Sequence, residues 1–170
     1  RHGLHPSQCE WAHNEFMEAG NLDDFLKKHL SDELNGFIEL NKEKKDFYGQ
    51  EITDEVLTFI KENPKMLAPE RKGNKLYCMA FPCNMKEYLS VTDEKMKRYY
   101  ACHCPFAKES ILSENVVSSV LCNCSLGHMM NFVEAFMGRE LRGKVVHSVL
   151  NGDLICEYEI EIPDDIMQKY

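Results

Sequence analysis

Two Cys-x-Cys motifs, Cys102-His103-Cys104 and Cys122-Asn123-Cys124, place four thiols and one imidazole in a short region of the chain. Thiolates bind soft metals, attack electrophilic carbon and pair into disulfides, so the motifs mark where chemistry can occur. Three uses are open. Cys102, Cys104, Cys122 and Cys124 converging as thiolates would close a tetrahedral zinc site with bonds of about 2.3 Å, although Cys-x-Cys is tighter than the usual zinc spacing. A single activated thiol would act as a nucleophile. Cys104 precedes Pro105 and Cys124 lies near a helix start, where unpaired amides and the helix dipole favour the thiolate. His103, between the first two thiols, is the nearest candidate base, with His128 and His147 as others. The third use is plain packing, because free cysteine behaves as a small hydrophobe.

The elements that must position these residues are legible in outline. Pro6 near a first turn, then Cys9, Ala12, Phe16 and Ala19 at helical spacing, predict a helix that Gly20 ends. Leu22, Phe25, Leu26, Leu30, Leu34, Phe37 and Ile38 continue the period, with a break expected near Ser31. Thr53 caps a further helix through Ile60 that Pro64 closes. Lys75 to Phe81 reads as a strand, Met85 to Leu89 as a short helix, and the aromatic run from Arg98 to Cys102 as a strand. Pro105 opens a helix through Ile111. Residues 125–137 form a long helix carrying Met129, Met130, Val133, Phe136 and Met137, and Gly138 stops it. Val145–Leu150 and Leu154–Ile162 flank Asn151-Gly152, the signature of a β-hairpin. Alternation predicts Leu154, Cys156, Tyr158 and Ile160 inside, with Glu157, Glu159 and Glu161 in water. The expected class is α+β: N-terminal helices (1–66) packed with a Cys-rich α+β part (67–170) as one unit.

Composition narrows the partners. Twenty basic against 28 acidic residues give a net charge of −8, which disfavours nucleic acid, since phosphate binding needs a basic face. No apolar run approaches the roughly 20 residues that span a bilayer, so no membrane role is expected. Eight cysteines without a legible export signal predict reduced thiols in the cytoplasm. Nine Met and nine Phe are enough to line an adaptable apolar pocket.

Several segments together resemble a known group. Cys122-x-Cys124-Ser125-x-Gly127, a helix ending at Gly138, Ser148-Val149-Leu150 and Gly152-Asp153-x-x-Cys156-x-Tyr158 resemble the C-terminal signature of the vinyl-reductase-like domain superfamily. Cys102-x-Cys104-Pro105 and Gly152-Asp153-x-x-Cys156 are also similar to the L-2-amino-thiazoline-4-carboxylic acid hydrolase-like family, and the resemblance as a whole covers roughly residues 98–162. The first resemblance implies a small-molecule-binding, hydrocarbon-binding α+β domain of bacteria and archaea. The second implies an enzyme that opens a cyclic thiazoline. On these readings an apolar or small organic ligand lies between the 125–137 helix and the sheet, touching Met129, Phe132, Phe136, Cys156 and Tyr158, with thiols at one end. The alternatives are a hydrolase using a Cys or a Cys-bound metal, and a zinc-stabilised structural domain. No cofactor is expected other than zinc. The N-terminal helices are a lid, a homodimer interface or part of the same core.

Overall fold

The structure is a computed structural model that describes residues 4–113 and 115–169, the side chains of 168 and 169 excepted. Local chemistry sets most helix ends. α1 (Pro6–Ala19) starts where the His5 side chain accepts from the Ser7 amide and the Gln8 side chain accepts from the His5 amide. α2 (Leu22–Glu43) is capped by Asn21, whose side chain accepts from the Asp24 amide at 2.8 Å. It runs unbroken through Ser31, contrary to the expected interruption, because the Leu22, Phe25, Leu26 and Phe37 stripe stays buried on both sides of that residue. A small ribbon, β1 (Asp46–Phe47) and β2 (Gln50–Glu51), then leads to α3 (Asp54–Glu62), capped by Thr53 as its sequence predicts.

β3 (Glu70–Lys72), β4 (Lys75–Met79), α4 (Met85–Ser90), α5 (Glu94–Ala101) and α6 (Pro105–Leu112) follow. The segment expected as a strand at Arg98–Cys102 is the end of helix α5 and its cap. Its start is fixed upstream, where the Asp93 side chain accepts from the Met96 amide at 2.8 Å. A cap outweighed the β preference of Tyr99 and Tyr100. α7 (Asn123–Met137) ends at Gly138 in the left-handed conformation. β5 (Gly143–His147), β6 (Glu157–Glu161) and α8 (Asp164–Lys169) complete the order.

The fold is α+β: helices pack around a four-stranded antiparallel sheet of order β3-β4-β6-β5 and beside the separate two-stranded ribbon. The expected strand pair forms, but its connection is longer than a two-residue turn. Val149–Asn151 makes a 3-10 turn, only Gly152 has positive φ (109°), and pairing resumes at Glu157. The Ser148 amide donates to the Asp153 carboxylate at 2.8 Å, which closes this loop on itself. Leu154, expected inside, is 37% exposed as a result. Tyr158 and Ile160 are buried as their alternation predicts.

Glu159, expected in water, is only 6% exposed. The register is not at fault. Lys75 at 2.7 Å, Tyr77 at 3.0 Å and Lys144 at 3.3 Å fold over its carboxylate on the outer sheet face. These donors hold its pKa below the usual carboxylate value, with the Lys75 hydrogen bond the largest cause.

One cluster of buried side chains joins α1, α2, α7 and the sheet: Phe16, Phe25, Val133, Phe136, Leu76, Tyr158 and Ile160 are among its members. A second gathers Phe37, Ile52, Val56, Ile60, Leu67 and Met85. A third surrounds Tyr88, Cys102, Ile111 and Val149. α2 contributes to the first two, so one helix runs along both.

Candidate functional site

The motif residues divide between two places. The first is a thiol cluster on the third core. Cys102 ends α5, Cys104 caps α6, Cys122 precedes α7 and Cys156 lies just before β6. The Cys102 sulfur is within electrostatic reach of Cys104, Cys122 and Cys156. Cys122 Sγ lies 3.0 Å from Ser148 Oγ, and that hydroxyl also accepts from the Leu150 amide at 3.2 Å. Tyr158 is hydrogen-bonded to Ser125 and Cys156. Cys102 and Cys122, one from each motif, therefore lie within electrostatic reach of each other. Cys124 does not join them. It is exposed on the first turn of α7, because residues two apart on a helix point about 200° apart.

Burial governs the electrostatics here. It pushes Cys102 up to about 11 and raises Cys156 and Tyr158 as well. Cys78, on β4 away from the motifs, is pushed up to about 12 by the same cause. These groups stay protonated at neutral pH. Cys102 Sγ donates to the Cys104 carbonyl at 3.6 Å.

The expected base does not engage. His103 is exposed, and its Nε2–H donates to the Phe81 carbonyl at 2.8 Å. No hydrogen bond links His103, His128 or His147 to a thiol among the described residues. Nor, among those residues, is any group of three or more His, Cys, Asp or Glu side chains arranged to hold a metal ion. The Cys102, Cys104, Cys122 and Cys124 ligand set does not form, since Cys124 faces away and the other thiols are spread over separate elements. All eight cysteines are free.

The second place is a cavity of about 400 Å³ between α2 and α7. α7 lines it with His128, Met129, Asn131, Phe132 and Val133, and α2 with His29, Glu33 and Phe37. The segment before β3 adds Lys65 to Pro69, and Trp11 of α1 stands at the rim. Of the expected ligand contacts, Met129 and Phe132 line this cavity. Phe136 and Tyr158 are buried in the first core, while Cys156 packs against the thiol side as well. The difference arises around α7. One face of the helix, with Leu126, Met130, Val133, Phe136 and Met137, is buried in the first core, where His13 Nδ1–H of α1 donates to the Phe136 carbonyl at 2.9 Å, while His128, Met129, Asn131 and Phe132 turn to the cavity.

Aromatic rings form the cavity's two walls. Phe37, Phe47 and Phe81 stack with centroids 4.7 to 5.7 Å apart. Opposite them His29 lies on Phe132 at 4.5 Å, and Phe25 backs both rings. Burial lowers the pKa of His29, which keeps it neutral at neutral pH. Lys65 is committed to Glu157 at 2.8 Å. Glu33 is exposed at the mouth, yet the apolar surroundings of its carboxyl, and secondarily Asp32, push its pKa up. The α2 contribution escaped the sequence reading. Its signal was present, since His29, Glu33 and Phe37 recur every four residues on one face.

No helix among the described residues is long and apolar enough to cross a membrane. Comparison of the chain with protein-family models, with curated proteins and with solved structures finds no match in any of the three.

Proposed function

We propose that the chain binds a small, largely apolar organic molecule in the cavity between α2 and α7. The carrying observation is the cavity itself: about 400 Å³, lined mainly by aromatic, methionine and aliphatic side chains, with Gln8, His29, Glu33, Lys65, His128 and Asn131 as its polar groups. That is the size and lining of small-molecule sites generally. The resemblance of residues 98–162 to vinyl-reductase-like domains supports the same reading. Eight free thiols fit a reducing compartment such as the cytoplasm. Native mass spectrometry of the purified protein tests the proposal. A bound organic mass is expected in the wild type and is lost in Met129→Trp, which fills the cavity from α7. Absence of any bound mass, together with no thermal shift from a panel of apolar compounds, overturns it.

A second reading is thiol attack on a small cyclic amidine- or thiazoline-like substrate. The Cys122–Ser148 contact, inside a group of four thiols, favours it. Cys102 and Cys156 are held protonated, so Cys104 or Cys122 would be the nucleophile. Either Cys104→Ala or Cys122→Ala would then abolish ring opening while leaving cavity binding intact.

A further inference from the structure

We infer that the cavity between α2 and α7 selects an organic cation, an alkyl- or arylammonium with an apolar body, over a carboxylate of the same shape. The inference rests on the small-molecule reading above and concerns the charge that the ligand carries.

The argument starts from one stripe. His29, Glu33 and Phe37 stand at i, i+4 and i+8 on α2 and all line the cavity. The stripe sets Glu33 on the α2 face between His29, which lies on Phe132, and Phe37, which packs with Phe47 and Phe81. Among the described residues Glu33 makes no hydrogen bond and no ion pair. Its nearest interacting charge is Asp32, of the same sign. Among the described residues the cavity therefore presents a negative group with no neutralising partner.

No lining group offers the opposite preference. Lys65 already serves Glu157, and His29 is held neutral by burial. His128 is exposed at the rim. An anionic ligand would meet a like charge at the mouth. An ammonium would gain the carboxylate and the faces of the surrounding rings, to which cations are attracted by the ring quadrupole. The apolar walls take the rest of the ligand in either case. Charge at one end, rather than shape, is what discriminates.

The probes are 4-phenylbutylamine, 4-phenylbutanol and 4-phenylbutyrate, which share one body and differ in the terminal group. Binding is read by calorimetry and by the emission of Trp11, the single tryptophan at the cavity rim. Mildly alkaline buffer keeps imidazoles neutral. The carboxylate is partly solvated, so the amine should bind roughly threefold to tenfold more tightly than the alcohol, with the carboxylate weakest. Glu33→Gln, at an exposed position, should bring the amine down to the affinity of the alcohol measured on the same variant. Equal or tighter binding of the alcohol or the carboxylate to the wild type overturns the cation preference and leaves the binding reading standing. An amine preference that survives Glu33→Gln overturns it as well. If none of the three binds up to its solubility limit, the cavity is not a small-molecule site and both statements fall.

Discussion

Phe136→Ala separates core from cavity on the same helix. Phe136 has no exposed surface, and its ring meets Phe25 at 4.7 Å, Phe16 at 5.4 Å and Phe132 at 5.4 Å. Truncating a buried phenylalanine costs about 3–5 kcal/mol through lost transfer and a residual cavity. Three ring partners place this site in the upper part of that range, since each aromatic pair adds about 0.5–1.5 kcal/mol beyond area. We take about 4 kcal/mol. With a urea slope near 2 kcal/mol/M, the unfolding midpoint should fall by about 2 M. Phe132 is half-buried and faces the cavity, so Phe132→Ala should cost much less, about 1–2 kcal/mol, and should act on ligand binding instead. Urea denaturation followed by circular dichroism measures both at an unchanged slope. A Phe136→Ala cost under about 1 kcal/mol, or equal costs for the two variants, would refute the division of α7 into a core face and a cavity face.

Two further outcomes are expected. In native alkylation mapped by mass spectrometry, exposed Cys124 should label early, while Cys78 and Cys102, buried and pushed up to about 12 and 11, should label last; early labelling of Cys78 would contradict its burial. The depressed pKa of Glu159 contributes stability that is present above the unfolded carboxylate value and is lost as pH falls through the folded value. Glu159→Gln should therefore flatten the acid limb of stability against pH, and an acid limb identical to that of the wild type would show that its three donors contribute nothing.

Helix ends were legible because their chemistry is local: Thr53, Gly20, Gly138 and Pro105 each act within a few residues of themselves. The long hairpin connection was not, because Asn151-Gly152 signals a turn without showing that Ser148 and Asp153 would close a wider loop. α5 was misread where two tyrosines suggested a strand and the decisive Asp93 lay upstream. Of the site, the short segment between the motifs is consistent with Cys102 lying within electrostatic reach of Cys122. The separation of Cys124 required knowing that α7 begins at Asn123. The α7 side of the cavity, Met129 and Phe132, was legible, whereas its pairing with α2 was not, because the two helices are about a hundred positions apart and no periodicity within one element reveals what faces it.

The strand order β3-β4-β6-β5 has a consequence for the newly made chain. β4 pairs on one side with β3, its neighbour in sequence. On the other it waits for β6, with Tyr77 bonding Glu159 across 82 positions. At a synthesis rate of about 5–20 residues per second, that wait lasts roughly 4–16 s. During it the Phe37–Met85 cluster can close, since all of its buried members lie between residues 37 and 85. The Phe16–Phe136 cluster cannot, because α7 and β6 do not yet exist. Leu76 and Cys78, both fully enclosed at the end, spend this interval on an open strand edge. The nascent chain thus carries an unpaired β4 edge that other chains can join, and protection by a chaperone matters most in this window rather than after release.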